Sequence, residues 1–187
     1  MKFIDYIASF RLPEKYNGLN MNDFFSLFHL PQDYAIDFDA LENAYRVLAA
    51  VYHPDRAAGQ SAFHQKENMM MTATINQAYG VLRDDIERAV HLLALHGIDA
   101  NAHEHNIADP EFLMQQLQWR EDLDNAQTLD EANKLNQQIQ QVKCKTQQQL
   151  VAEFHKQNYP NATQTLQRLR FVHKLLTAID EKREQMA

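Results

Sequence analysis

The sequence is poor in cysteine, glycine and proline, and these shortages already limit its fold. Among 187 residues there are 4 glycines, 5 prolines and a single cysteine, Cys144. A lone cysteine provides neither a disulfide framework nor a thiolate metal cluster, and it is consistent with a reducing compartment. Scarce glycine and proline, together with almost no alternation of β-branched residues, predict that nearly the whole chain is helical.

The sequence also lacks a long apolar run and an excess of positive charge. No apolar stretch approaches the ~20 residues that cross a bilayer, and the first residues lack the charged-then-apolar pattern of a secretion signal. The net charge of -7 argues against nucleic acid or an anionic membrane as the main partner. We therefore expect a cytoplasmic protein, whose 45% hydrophobic content is sufficient for a packed core.

The chain is organised around the motif His53-Pro54-Asp55, which lies between two amphipathic stretches. Two apolar stripes joined by a short loop bury themselves against each other, which predicts an antiparallel helical hairpin. Pro54 lacks a backbone donor and favours an extended conformation at His53, so the motif should form an exposed turn at the tip. The stripes have helical spacing and consist of Leu41, Tyr45, Leu48 and Tyr52 upstream and Met71, Ile75, Ala78, Tyr79 and Leu82 downstream.

Caps and breaks predict two helical domains. Four helices are expected in residues 22–96, the first of them short, rich in phenylalanine and capped at Asn22-Asp23, the last ending at Gly97. Residues 98–109 have no apolar period and are interpreted as a linker. Three longer helices are predicted at about 110–126, 129–156 and 160–185, and their short connections favour an antiparallel three-helix bundle.

The expected fold is therefore all-α, with an N-terminal domain at residues 21–97 and a C-terminal three-helix bundle at residues 110–187. Residues 1–20 are interpreted as an N-terminal arm whose role the sequence does not indicate, and Met21 is an equally acceptable start. The core faces predicted for the last two helices consist of Ala132, Leu135, Ile139, Val142 and Thr146, and of Leu169, Val172, Leu176 and Ile179.

The helix predicted at 110–126 has two apolar stripes where a helix in a soluble bundle needs only one. At about 100° per residue, one face carries Phe112, Gln116, Trp119 and Leu123, and a nearly opposite face carries Leu113, Met114, Leu117 and Glu121. The second stripe is typical of a protein-binding surface, and the flexible thioether of Met114 suits that role. Alternatively, the second stripe packs on the N-terminal domain or on the third helix. Phe171 lies at the edge of its own core stripe and could extend the patch.

Nine histidines raise the possibility of a metal-dependent enzyme. His91 and His96 are five residues apart and do not share a helical face, and neither this pair nor His103 with His105 is completed by a carboxylate or a cysteine. His53 and Asp55 on an exposed turn, without a pocket or an orienting residue, would make a poor acid–base pair. We predict that the protein is not an enzyme and has no metal or cofactor.

A helical hairpin that presents His-Pro-Asp after a short phenylalanine-rich helix, and that continues with Ile75-Asn76-Gln77-Ala78-Tyr79, resembles the J domain of J-protein co-chaperones. The sequence is more specifically similar to the HscB family over about residues 21–187. The similar segments, in the order of that family, are Thr74-Ile75-Asn76-Gln77-Ala78, Leu82-Arg83, Arg88-Ala89, Leu92-Leu93-Ala94-Leu95-His96-Gly97, Phe112-Leu113-Met114, Gln116-Leu117, Arg120-Glu121 and Leu169-Arg170-Phe171.

This resemblance implies a role in iron-sulfur cluster assembly. HscB proteins deliver the scaffold protein IscU to the chaperone HscA and stimulate its ATPase, using the J domain for the chaperone and the C-terminal bundle for the scaffold. A J-protein that serves a different client remains the alternative. The resemblance implies a chaperone-binding set of His53, Pro54, Asp55, Arg46 and Arg56, and a scaffold-binding set of Leu113, Met114, Leu117, Arg120, Glu121 and Phe171.

Two departures from the family pattern affect these expectations. Other members carry several basic residues on the helix before the motif, whereas this chain has Ala49, Ala50 and Val51 there and acidic residues nearby. Electrostatic steering towards an acidic chaperone surface should therefore be weaker than usual. Eukaryotic relatives carry a cysteine-rich zinc element at the N-terminus, and its absence from residues 1–20 favours a bacterial-type protein.

Overall fold

The computed structural model describes residues 23–53, 55, 61–100 and 109–186. In these ranges every regular element is a helix, which confirms the all-α prediction, and no helix there is long and apolar enough to span a membrane. The chain divides into two compact units, residues 1–91 and 92–187. The helices are α1 (Phe24–Leu27), α2 (Phe38–Val51), α3 (Ala62–Arg83), α4 (Asp85–Leu95), α5 (Pro110–Asn125), α6 (Leu129–His155) and α7 (Tyr159–Met186).

Helices α1 to α3 begin at side chains that cap them. The carboxylate of Asp23 accepts from the N–H groups of the first turn of α1, and Asp37 does the same for α2. The hydroxyl of Ser61 accepts from the His64 N–H at the start of α3. Such caps satisfy donors that a helix leaves unpaired at its first turn, and the cap predicted at Asn22-Asp23 is confirmed at Asp23.

Helices α2 and α3 pack together as the predicted hairpin. Most of both stripes is buried, but Tyr45 and Tyr79 are only half-buried and stack on each other at the rim, with ring centroids 4.1 Å apart. Ala44 and Val47 are buried instead, so the core line of α2 is centred about one residue away from the predicted stripe. Large phenol rings fit at the rim because their hydroxyl groups reach polar partners there.

Helix α4 closes the N-terminal unit through two side chains that point inwards. Nε2 of His91 accepts from the Phe24 N–H at 3.2 Å, the two rings stack, and burial lowers the pKa of His91. The guanidinium of Arg88 is almost fully buried, where it donates to the carbonyl oxygens of Tyr34 at 2.9 Å and Leu82 at 2.6 Å and binds Asp85 at 3.1 Å. A buried arginine is stable only with such a complete set of partners.

Replacing Arg88 with methionine should destabilise the N-terminal unit by about 3 kcal/mol, because two carbonyl oxygens would lose their donors inside the core. Chemical denaturation followed by circular dichroism would measure the loss. Arg88→Lys should recover only part of it, since an ammonium group cannot reach all three partners in the same geometry. An Arg88→Met protein as stable as wild type would show that the buried guanidinium contributes nothing.

Helix α4 ends just before the predicted C-cap residue, Gly97. Gly97 has a φ of 73°, a left-handed conformation that glycine adopts without steric cost. The N–H groups of Gly97 and Ile98 donate back to the carbonyl oxygens of Ala94 and Leu93. These bonds satisfy the free carbonyl groups at the helix end and stop the helix.

The C-terminal unit is the predicted three-helix bundle. Helix α6 begins at a capping box in which Thr128 and Glu131 exchange hydrogen bonds, and it packs along α7. The predicted core faces are confirmed, with Val142 only partly buried. The core contains Trp119 of α5, Leu135 and Ile139 of α6, and Val172, Leu175, Leu176 and Ile179 of α7.

Polar contacts attach both ends of α5 to α7. Asp109, the N-cap of α5, forms an ion pair with Arg168, and its pKa is lowered first by the hydrogen bond from the Phe112 N–H. At the other end the ammonium group of Lys182 donates to the carbonyl oxygens of Leu123 and Asp124. A cation at the C-terminal end of a helix is favourable because the last carbonyl groups carry partial negative charge. These contacts hold α5 parallel to α7 and determine which of its faces is exposed.

Candidate functional site

The first candidate site is the turn at the tip of the hairpin. Helix α2 ends at Val51, and the next residue, Tyr52, is buried and donates its N–H to the Leu48 carbonyl oxygen. His53 and Asp55 follow, both exposed, whereas the predicted chaperone-binding residues Pro54 and Arg56 lie outside the described residues. The turn thus presents an imidazole and a carboxylate directly after a firmly packed residue.

The contacts between His53 and Asp55 are those of an exposed pair rather than of an acid–base dyad. Nδ1 of His53 lies 3.3 Å from the Asp55 nitrogen, as an acceptor, and 3.5 Å from the nearer carboxylate oxygen. A ring nitrogen that accepts the backbone N–H cannot also donate to the carboxylate, and 3.5 Å is long for such a bond. Catalysis would need a third group that orients the imidazole and a cavity that holds a substrate, whereas the contacts described for His53 are those with Asp55.

The predicted chaperone-binding residue Arg46 is part of a network on the α2–α3 face. Its guanidinium binds Glu42 at 2.9 Å, and the other carboxylate oxygen of Glu42 accepts from the Tyr79 hydroxyl at 2.5 Å. The hydrogen bond from Tyr79 is the main cause that lowers the pKa of Glu42. The Tyr45 hydroxyl donates to Asn76 at 3.1 Å. The positive charge of Arg46 is therefore accompanied by a negative one on the same surface.

The second candidate site is the outer face of α5. Leu113, Met114 and Leu117 are 53%, 67% and 49% exposed, respectively, so the third helix of the bundle does not cover them. Arg120 and Glu121 are exposed at one end of this apolar face. The inner face, with Trp119 buried and its neighbours partly buried, packs into the core as predicted. An apolar face bordered by charge is the composition of a protein-binding surface.

Phe171 occupies a different environment from the other predicted scaffold-binding residues. It is partly buried and packs on the core, stacking on Trp119 at 6.2 Å between ring centroids and meeting Phe112 edge-on at 5.8 Å. The Arg120 guanidinium lies 5.6 Å from the centre of the Phe171 ring, within cation–π range. Phe171 therefore packs on the core side of the exposed α5 face, and the Arg120 guanidinium covers the outer side of the Phe171 ring.

Two of the histidines considered as metal ligands, His91 and His96, have structural partners instead. No group of three histidine, cysteine, aspartate or glutamate side chains there could hold a metal ion. His91 contacts α1, and the ring of His96 stacks on Tyr159 with centroids 4.4 Å apart. His103 and His105 lie outside the described residues.

One exposed feature was not anticipated from the sequence. Phe63, Met69 and Met70 of α3 are all exposed, although the predicted core stripe of this helix is buried except at Tyr79. The run Met69-Met70-Met71 could have indicated this exposure, because only Met71 belongs to the core stripe and consecutive residues of a helix point in different directions.

Comparisons with known proteins agree with this architecture. The family model described as the DnaJ domain matches residues 23–91, and the one described as the HSCB C-terminal oligomerisation domain matches residues 108–180. A co-chaperone protein HscB homolog of Neisseria meningitidis serogroup C is 43% identical over 162 residues, which are 85% of this chain and 98% of the relative. The homolog of Neisseria gonorrhoeae is 41% identical over 158 residues, covering 83% of this chain and 95% of that protein.

Solved structures show the same fold. The chaperone HscB from Vibrio cholerae superposes with a TM-score of 0.82 at 28% identity, covering 88% of this chain and all of that one. The human co-chaperone protein HscB gives a TM-score of 0.81 at 22% identity over 86% of this chain and 81% of its own length, which supports the fold alone. A helical hairpin with an exposed histidine turn, joined to a helical bundle, defines a J-domain co-chaperone. Within that class, the chain belongs to the HscB family of co-chaperones.

Proposed function

We propose that this chain binds the iron-sulfur scaffold protein IscU, delivers it to the chaperone HscA and stimulates the ATPase of HscA during iron-sulfur cluster assembly. The J domain, residues 21–97, would engage the chaperone, and the bundle, residues 110–187, would hold the scaffold. The observation that carries the proposal is that one chain has both an exposed His53 turn and an exposed apolar face on α5. The single cysteine favours a reducing, cytoplasmic setting.

The turn acts on a reaction that takes place in the partner. His53 and Asp55 are exposed and lack the surroundings of an active site, so their contribution is a coupling free energy that biases the conformation of the ATPase. Binding of the turn must then favour the hydrolysing state of the chaperone over its other states. The chain itself supplies no group to the chemistry of ATP.

The scaffold surface is built from apolar anchors with a charged border. Leu113, Met114 and Leu117 supply area that is removed from water on binding, and Arg120 with Glu121 would set the orientation of the partner. IscU is preferred over a different client because the chain belongs to the HscB family over 85% of its length. A different client remains the alternative, since an apolar face does not by itself specify its partner.

The proposal is tested with the full chain, purified HscA and purified IscU. The chain should raise steady-state ATP hydrolysis by HscA, should hydrolyse no ATP alone, and should bind IscU in a calorimetric titration. A general heat-shock chaperone of the same class serves as the comparison for chaperone specificity. Stimulation without binding to IscU would support the J-protein with a different client, and the absence of stimulation would refute the proposal.

Docking on the chaperone should depend little on salt, because Arg46 already shares its charge with Glu42. Exposed charges are screened over about 8–10 Å in physiological buffer, so the half-maximal concentration should change by less than about threefold between about 50 and 200 mM salt. Glu42→Gln frees the Arg46 cation and should make docking tighter at low salt and more salt-dependent. A steep salt dependence in the wild type would show that basic residues dominate docking.

A further inference from the structure

The start of α3 is a helix without a buried side. Nearly all residues from Ser61 to Met70 are exposed, Asn68 being partly buried, and the first buried residue of the helix is Met71. A helix in a small domain normally buries one face along its whole length. This segment instead has every face available to a partner.

The exposure results from the different lengths of the two hairpin helices. The Thr72 hydroxyl lies 2.8 Å from the carbonyl oxygen of Tyr52, the residue that directly follows α2. Because α2 and α3 are antiparallel, the part of α3 before Thr72 extends beyond the end of α2, by about 15 Å at 1.5 Å per residue. The end of this extension nearest the core therefore lies next to Tyr52, the residue that directly precedes His53.

This extension carries three large apolar side chains. Phe63, Met69 and Met70 are 66%, 71% and 60% exposed, respectively. At about 100° per residue they lie within an arc of about 120°, on the side of α3 away from the core residue Met71. We call these three residues the methionine face. Isolated exposed apolar residues are common on protein surfaces, but three of them on one side of a helical segment without a buried residue mark an interaction surface.

We propose that the methionine face docks on an apolar surface of the partner chaperone, next to the site that receives the His53 turn. The inference rests on the proposed function, in which the J domain engages an ATPase chaperone. It adds an apolar contact that anchors the J domain, whereas the turn supplies the coupling.

The position and the charge of the segment favour the chaperone as the occupant. Met69 and Met70 lie within one helical turn of Thr72, which contacts Tyr52 beside the turn, so one partner can cover both surfaces. Part of the charge on this hairpin is already paired, since Arg46 is bound to Glu42 and His64 lies 3.8 Å from Glu67, and Lys66 is a further exposed cation of the same segment. Methionine side chains are flexible and polarisable, which suits contact with a surface that changes conformation during an ATPase cycle.

The test is a titration of HscA ATPase with the full-length double variant Met69→Gln/Met70→Gln. Glutamine preserves helix propensity and length, so the fold is retained while the apolar area is lost. The half-maximal concentration should rise by about tenfold or more, as for the loss of two apolar anchors, while the maximal stimulation at saturation stays at the wild-type level. Leu129→Gln, a matched substitution of an exposed apolar residue in the other unit, should leave both values unchanged.

The other outcomes identify other occupants. An unchanged half-maximal concentration with wild-type maximal stimulation would overturn the proposal and leave the co-chaperone function intact. Failure of the wild-type chain to stimulate HscA would instead refute the proposed function itself. Sedimentation in which wild type self-associates and the variant does not would assign the face to a second copy. If removal of residues 1–20 lowered the half-maximal concentration of wild type but not that of the double variant, the methionine face would be assigned to the chain's own N-terminal arm.

Discussion

His53→Gln should abolish the stimulation of HscA ATPase by this chain. The imidazole is exposed at the hairpin tip, and its only described hydrogen bond is the one it accepts from the Asp55 N–H. Glutamine has a similar volume but cannot present two ring nitrogens in a rigid plane. If the turn works by biasing the chaperone, removing its specific contact removes the coupling free energy.

The same substitution should leave folding and scaffold binding unchanged, because exposed substitutions usually alter stability by less than about 0.5 kcal/mol. His64→Gln is the matched control, since His64 is an exposed histidine near the same tip. Steady-state hydrolysis with HscA is measured for wild type and both variants, with circular dichroism as the check of folding. Full stimulation by His53→Gln would show that the coupling element lies elsewhere in the J domain.

The triple variant Leu113→Ala/Met114→Ala/Leu117→Ala should weaken binding to IscU by several kcal/mol. Its three side chains are between 49% and 67% exposed, so they are available as anchors that become buried in the complex. A loss of about 3 kcal/mol corresponds to roughly a 150-fold weaker dissociation constant, which calorimetry or surface binding measures directly. Gln115→Ala, at an exposed polar position of the same helix, is the control.

Stability distinguishes an exposed anchor from a core residue. Truncation of core side chains costs about 2–5 kcal/mol each, whereas the triple variant should keep the melting temperature of wild type. Emission from Trp119, the single tryptophan, reports on the bundle core during unfolding. A sharp drop in melting temperature would refute the surface role, and unchanged affinity at unchanged stability would remove IscU from this face.

Phe171 is better tested apart from the other three residues. It packs on Trp119 and Phe112, so Phe171→Ala should lower the stability of the bundle in addition to any effect on affinity. Combining it with the α5 substitutions would mix the two effects.

Much of the local structure follows from the sequence, because the signals involved act over a few residues. Asp23 caps the first helix as expected, and Gly97 ends α4 as expected. The period of 3.6 residues located the core faces of α6 and α7. The motif and its neighbours indicated a J domain for the same reason, since they are consecutive in the chain.

The sequence by itself thus determined the helices, their core stripes and the family, whereas only the tertiary structure decided which remaining side chains are exposed. Arg88 is charged and yet buried, because carbonyl groups of Tyr34 and Leu82 converge on its guanidinium. Met69 and Met70 are exposed although Met71 is not, because they lie on other faces of α3 close to the point where α2 ends. Burial depends on the position and length of the neighbouring helix, and that information is absent from the periodicity of any single segment.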